Sequence, residues 1–270
     1  MEGWSYYFNR AIRGIAANRL TYGIYSAILW RQIKYGSKPE HIAVILDGNR
    51  RWASEHTLPL WFGHSSGADK VEDLIEWCSQ LGIKTVSLYV FSTENFQRSQ
   101  PEVNEIMKIA EEKFRQIIED ERVHKNKIHV KAIGRIDQLP QTTQELIRKV
   151  EDSTKDYDNF YLNIAIAYGG RAEIVDAVKE VVKEINEGRL KPSTIDENTI
   201  EKHLYTSYLP KSDPDILIRT SGEERLSNFL LWQGAYSELF FLDVFWPDFR
   251  RIDLWRAVRT YQERKRRYGR

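Results

Sequence analysis

Short apolar runs alternate with helix-periodic stretches along most of this chain, and nearly every run stops at arginine, glycine or a small polar residue. The first run, 42–46, ends abruptly at Asp47-Gly48-Asn49. From Ser66 a helical pattern puts Val71, Leu74, Ile75, Cys78 and Leu81 on one face, and Gly82 supplies its stop. A second apolar run, 83–91, follows directly. The pattern continues with expected helices at 101–122, 141–153 and 171–187, expected strands at 128–133, 162–168, 215–220 and 238–243, and a helix from 252 that ends in basic residues. Strand, helix and strand without hairpin turns require parallel pairing through right-handed crossovers. The expected fold class is α/β, a single domain with a mostly parallel central sheet flanked by helices. An amphipathic helical leader, 1–36, is expected ahead of a catalytic domain, 37–270.

Sheets of this kind bind ligands beyond the carboxyl ends of their strands. The first strand ends in Asp47, Gly48, Asn49, Arg50, Arg51 and Trp52, and the second in Ser92, Thr93, Glu94, Asn95 and Arg98. Later strand ends supply Tyr168, Gly169, Gly170 and Arg171, then Arg219, Thr220, Ser221 and Gly222, with Arg225 and Ser227 close behind. Arginine grips phosphate bidentately, a bare glycine lets main chain approach, and aspartate holds a hard cation such as Mg²⁺. Several arginines on one rim repel each other unless they share polyanions, and two diphosphates would satisfy them.

Composition narrows the classes. With 40 basic against 39 acidic residues the net charge is +1, so no global field draws the chain to nucleic acid. One cysteine, Cys78, excludes an internal disulfide or a cysteine-cluster metal site. The apolar stretch from Leu20 to Trp30 is about half what a spanning helix needs. Neither DDxxD nor GxxxxGK[ST] occurs, which removes the aspartate-rich all-α prenyl synthases and P-loop phosphoryl transfer.

Six ordered blocks, HIAVILDGNRRWA, FGHSSGA, LYVFSTENFQR, LNIAIAYGGR, DILIRTSGEERLSNFLLWQGAYSELFF and a terminal RYG, resemble the cis-prenyltransferases, the undecaprenyl (polyprenyl) diphosphate synthase family, over residues 41–269. The DGNRRW form and the long leader look archaeal or eukaryotic rather than bacterial. The resemblance implies a Mg²⁺-dependent enzyme that adds isopentenyl diphosphate repeatedly to an allylic prenyl diphosphate (farnesyl or geranylgeranyl). Its product would be a long-chain polyprenyl diphosphate, precursor of a glycosyl carrier lipid. It implies Asp47 as the essential carboxylate and metal ligand, with Glu238 as a second metal-associated carboxylate, and Asn95 as a positioning group for condensation. Gly48, Asn49, Arg51, Arg98 and His64 are implied at the allylic diphosphate. Arg219, Arg225 and Ser227 match the isopentenyl diphosphate clamp, and Arg267 and Gly269 the RxG end that reaches a partner's active site. Arg50, Trp52, Ser92 and Glu94 complete the expected substrate-binding set. A homodimer in the cytoplasm is expected, with peripheral membrane contact through product or leader. The proton acceptor stays open among Asp47, the departing diphosphate and a water on Asn95.

Leu60 stands where family members often carry arginine, and Arg50 is the candidate to compensate. Glu224 replaces a histidine of bacterial members, and Ser99 a frequent proline. Two other functions stay open, a catalytically silent partner subunit and an enzyme that joins two allylic diphosphates or uses an unusual acceptor. The presence of Asp47, Asn49, Asn95, Arg219, Arg225 and Glu238 favours the active elongating enzyme.

Overall fold

The computed structural model describes residues 19–264, so leader residues 1–18 and both Arg267 and Gly269 lie outside the described residues. It divides into two compact units. In one, helix α1 (Arg19–Ile33) packs on α9 (Arg251–Glu263), with Trp30 and Trp255 ring centroids 5.2 Å apart and Gln262 Nε2 donating to Ile33 O at 3.0 Å.

The other unit, residues 39–249, is a six-stranded sheet with flanking helices. Its strands are β1 (His41–Ile45), β2 (Thr85–Ser92), β3 (Ile128–Ile133), β4 (Phe160–Tyr168), β5 (Ile216–Arg219) and β6 (Glu238–Phe241), in the order β3-β4-β2-β1-β5-β6. Every pairing among the described residues is parallel, as the strand–helix alternation requires. The direction in which strands are added reverses at β1, because the first crossover goes to β2 on one side of it and β5 and β6 lie on the other. That switch point opens a crevice at the carboxyl ends of β1 and β5. The two strands are buried along their whole length, which is why IAVI and ILI within them read as unbroken apolar runs rather than alternating ones.

Four helices matter to the site: α2 (Asn49–Glu55), α3 (Leu60–Leu81), α4 (Gln100–Glu119) and α5 (Glu121–Lys125). The residues before Ser66 read as loop, yet α3 begins six residues earlier, at Leu60. Its glycines serve close packing: a Cβ at Gly63 would lie 2.2 Å from Asn49 O, and one at Gly67 2.3 Å from Asn49 Oδ1. The single helix expected over 101–122 is broken at Asp120, whose backbone turns extended and whose carboxylate accepts from Arg122 N at 2.8 Å to start α5.

Candidate active site

Asp47 leaves β1 two residues after Ile45, and Thr220 fastens it: Asp47 N donates to Thr220 Oγ1 at 3.0 Å and Thr220 Oγ1 donates back to Asp47 O at 2.6 Å. The next residue, Gly48, takes φ +102°, and a Cβ there would meet Phe245 Cδ1 at 2.7 Å. Only glycine fits this turn, and it swings α2 away so that the Asp47 carboxylate faces the crevice.

Arginines converge on that carboxylate. Arg219 Nη2 donates to Asp47 Oδ2 at 2.8 Å, while its Nη1 donates to Ser227 Oγ at 2.7 Å and to the Arg225 carbonyl. Arg51 Nη2 reaches Asp47 Oδ1 at 3.3 Å and Ser221 Oγ at 2.7 Å. Burial pushes the Asp47 carboxyl up, but the hydrogen bond and charge of Arg219, with Ser221 and Arg51, outweigh it and hold the group below its ordinary range. The side chain is therefore a carboxylate throughout the neutral range.

A second cluster gathers on Glu102 in the first turn of α4. Its Oε1 accepts from Arg98 Nη1 at 3.0 Å and lies 3.5 Å from His64 Nε2 and 3.6 Å from Arg50 Nε. Desolvation and the Arg98 charge lower the His64 pKa, opposed by Glu102, so the imidazole is biased to its neutral form. A third carboxylate, Glu223, receives Arg51 Nη1 at 3.2 Å and pairs with Arg225. The expected repulsion among rim arginines is thus relieved by Asp47, Glu102 and Glu223. Neither glutamate stood out in the sequence. Glu102 carried one signal, its spacing of four from Arg98.

Of these groups Asp47, His64, Arg98, Arg219 and Ser227 line a polar cavity of ≈ 600 Å³, together with Asn49, Ser92, Glu94, Asn95 and Arg171, whereas Arg50, Arg51, Glu102 and Glu223 lie outside its lining. Asn95 Oδ1 accepts from Ser92 N at 3.1 Å and Ser92 Oγ from Asn95 N at 3.2 Å, a reciprocal cap on the turn after β2. What Asn95 can still offer a ligand is its amide NH₂, a donor. Asn228 went unnoticed in the sequence but ties three elements together. It donates to Glu94 Oε1 at 2.9 Å, accepts from Arg171 N at 2.9 Å, and its carbonyl accepts from Gly170 N at 2.7 Å. Ser221, Ser227, Asn228 and Leu230 all have positive φ (77°, 45°, 66° and 42°), so this clamp loop holds backbone strain of the kind found at ligand sites.

An apolar cavity of ≈ 650 Å³ adjoins the polar one, and Leu46, Asn49, His64 and Val90 line both. It runs between α3, α4 and the sheet past Val71, Ile75, Ile106, Ala110 and Phe114 to Asn126 and Asn159. Val90 therefore stands at the junction, whereas Tyr89 lines only the polar cavity and donates to Ser227 O at 3.2 Å.

Some expected residues lie elsewhere. Trp52 lines neither cavity; it stacks on Phe62 at 6.3 Å and against His56. Leu60 opens α3, is 41% exposed and lines neither cavity. Arg225 lies on the rim at its pair with Glu223. Glu238 opens β6 and pairs with Ile216, whereas Arg219, at the far end of β5, pairs with Phe241. Three residues of strand, about 10 Å, therefore separate Glu238 from the Arg219 level before the lateral distance is added. Within one chain Glu238, the expected second metal-associated carboxylate, thus stands at the opposite end of the β5–β6 pair from Arg219. Asp243 is the acidic residue at the site's end of that segment, with Oδ1 3.5 Å from where a Gly222 Cβ would be.

Among the described residues no group of three or more His, Cys, Asp or Glu side chains is gathered as a metal cage. Asp47 nonetheless suits Mg²⁺ of the kind that is held by one or two carboxylates together with substrate phosphates. Its charge is fixed and it stands beside arginines able to hold those phosphates.

A family model described as putative undecaprenyl diphosphate synthase matches residues 45–269. A tritrans,polycis-undecaprenyl-diphosphate synthase (geranylgeranyl-diphosphate specific) of Methanopyrus kandleri is 51% identical over 249 residues, covering 92% of this chain and 91% of that protein. The protein of the same name from Thermococcus kodakarensis is also 51% identical, covering 92% and 94%. Among solved structures, lavandulyl diphosphate synthase from Lavandula x intermedia in complex with dimethylallyl diphosphate matches at TM-score 0.83 and 37% identity, over 86% of this chain and 99% of that one. A probable undecaprenyl diphosphate synthase from Campylobacter jejuni matches at TM-score 0.71 and 32% identity, covering 87% and 100%.

Proposed function

The chain belongs to the undecaprenyl diphosphate synthase family of cis-prenyltransferases, and from that premise we propose that it extends geranylgeranyl diphosphate with isopentenyl diphosphate into a long polyprenyl diphosphate for use as a glycosyl carrier lipid. One observation carries this reading. A polar cavity lined by Arg98, Arg171 and Arg219 opens, at Leu46, Asn49, His64 and Val90, into an apolar cavity. That is the shape required to hold a diphosphate at one end of a growing hydrocarbon, each buried methylene contributing about 0.8 kcal/mol.

The allylic diphosphate belongs at Arg50, Arg98 and His64, next to the junction, because its hydrocarbon must enter the apolar side. Arg50 takes the place in that cluster which Leu60 leaves without a cation. Isopentenyl diphosphate belongs with Arg219, Arg225 and Ser227, where the clamp loop already carries the donors. Breaking the allylic C–O bond places negative charge on the departing diphosphate, and the preorganised guanidiniums stabilise it. Mg²⁺, held by Asp47 and the diphosphate oxygens, would add Lewis-acid stabilisation of that charge. A carboxylate kept low by Arg219 favours cation holding over proton abstraction, so the departing diphosphate takes the proton lost when the new double bond forms. Glu238 has no part in this scheme within one chain.

A homodimer is part of the same reading, supported by the exposed stripe Val175, Val178 and Val182 on helix α7 (Gly170–Asn186). The leader-and-domain division, 1–36 and 37–270, and a cytoplasmic site of action with peripheral membrane contact complete it.

The test is incorporation of labelled isopentenyl diphosphate by the purified chain, primed in turn with geranyl, farnesyl and geranylgeranyl diphosphate, with Mg²⁺ and with EDTA. Expected is Mg²⁺-dependent growth of a long product, fastest with the geranylgeranyl primer. A single condensation with an allylic acceptor, or activity undiminished by EDTA, would refute the reading.

A further inference from the structure

The near-neutral total charge conceals a strong separation. Residues 1–38 and 250–270 carry 15 basic and 3 acidic side chains, a formal charge of +12, and the remaining 211 residues carry 25 basic and 36 acidic, a charge of −11. The basic part is the sequence of the unit that holds α1 and α9.

Within that unit, α1 is apolar on two sides. Leu29 and Ile33 are fully buried on the inner side, while Ile24 (55% exposed) and Ile28 (48%) are exposed, as is Tyr35 (86%) just past the helix end. Ile24 and Ile28 are one turn apart, and Ala27 and Arg31 are exposed on the same side. No Asp or Glu occurs anywhere in the helix. A soluble surface helix normally turns charge outward, whereas this one turns out isoleucine in a basic setting. A helix with exposed apolar residues amid lysine and arginine suits the interface of an anionic bilayer, where apolar burial and headgroup attraction act together. Among the described residues no helix is long and apolar enough to cross a membrane, so α1 would lie on the surface rather than span it.

We infer that the outward face of α1, centred on Ile24 and Ile28, docks on the surface of a bilayer that contains anionic lipid. This deepens the proposed function and rests on it for its purpose, since a long polyprenyl product must pass to a lipid phase. The exposure of Ile24 and Ile28 and the basic charge of their unit do not depend on that purpose. The basic segments act at long range and the isoleucines at contact, so binding has two separable components.

The test is flotation of the full chain with vesicles of phosphatidylcholine alone and of phosphatidylcholine with phosphatidylglycerol, at low and high salt and without isoprenoid substrate. Expected is salt-sensitive binding to the anionic vesicles, reduced at least about tenfold by the double variant Ile24→Asp/Ile28→Asp, in line with lost burial of two side chains. The variant's condensation rate in detergent solution stays unchanged, which also reports an intact fold. Absence of binding to anionic vesicles would overturn the inference, as would equal binding by wild type and variant. Capture by an oligonucleotide in place of vesicles would reassign the basic unit to nucleic acid. Because the flotation contains no substrate, its failure leaves the condensation reading standing.

Discussion

Asp47 and Arg219 are 172 residues apart in the chain and 2.8 Å apart in the fold. Each was legible as a strand-end residue, but their contact was not, because strand order is not written in any local pattern. The contact changes what a substitution should do. If Arg219 served only isopentenyl diphosphate, Arg219→Ala would raise the KM for that substrate and little else. Since its guanidinium also holds the Asp47 carboxyl down, the variant should in addition move the acid limb of the kcat profile to higher pH, because Asp47 then takes a proton more readily. A raised KM with an unmoved acid limb would remove Arg219 from control of Asp47. Glu102 invites the opposite change. It holds Arg50, Arg98 and His64 where an incoming diphosphate would lie, and it competes with that ligand. Glu102→Gln should therefore lower the KM for the allylic substrate, by about fivefold if the competition is worth about 1 kcal/mol. A raised KM would instead show that Glu102 organises the arginines. Glu102 and Glu223 escaped notice for one physical reason, that a carboxylate near arginines looks like ordinary surface pairing until its partners from other elements are seen.

Elements were legible where periodicity was strong and were obscured where residues serve packing at the site. Strands β1, β2 and β4 and helices such as α6 (Gln141–Thr154) fall within a few residues of their apolar patterns. The start of α3 did not, because Gly63 mimics a loop, while Gly63 and Gly67 both serve to admit Asn49. Asn49 lines both cavities, so this packing joins fold to function. A Cβ at Gly67 would meet Asn49 Oδ1 at 2.3 Å and Trp246 Cδ1 at 2.9 Å. Gly67→Ala should therefore cost stability by about 1–3 kcal/mol, as overpacking does, and displace Asn49 from the junction. Urea unfolding and turnover together check it: kcat should fall although the protein stays folded under assay conditions. Unimpaired turnover would mean that Asn49 has room to move without consequence. Glu238 illustrates the complementary limit. In an apolar run as short as ELFF, sequence shows that a strand exists but not which of its ends meets the crevice.

At the scale of the whole molecule, alternation of strand and helix made a parallel sheet legible, while the switch point between β1 and β5 required the three-dimensional strand order. The sheet also sets how stability responds to pH. His41 opens β1 fully buried, with Nε2 2.8 Å from Ser87 Oγ, and Asn163 Nδ2 donates to the same hydroxyl at 2.8 Å. Together they form a polar stitch across β1, β2 and β4 at the sheet end remote from the crevice. Desolvation lowers the His41 pKa from 6.5 to about 4, against the pull of Asp215. Between those values the unfolded chain binds a proton that the folded chain refuses, so stability rises with pH across this window and falls as pH drops through it. A gap of that size is worth about 3 kcal/mol. Asp47 and Asp215 act in the same direction but in another window. Burial raises each carboxyl, yet Arg219 at the first and Lys211 with the backbone amides of Glu40 and His41 at the second hold both below the ordinary aspartate range. Their contribution is present above the unfolded aspartate value and is lost as pH falls through the lower folded one, at about pH 4 and below. Urea midpoints measured from pH 7 to pH 4.5 should decline in the wild type, and His41→Gln, which keeps a donor near Ser87 but has no titrating group, should flatten that decline while lowering stability at pH 7. Parallel declines in the two proteins would place the acid sensitivity in other groups and leave His41 a purely structural member of the stitch.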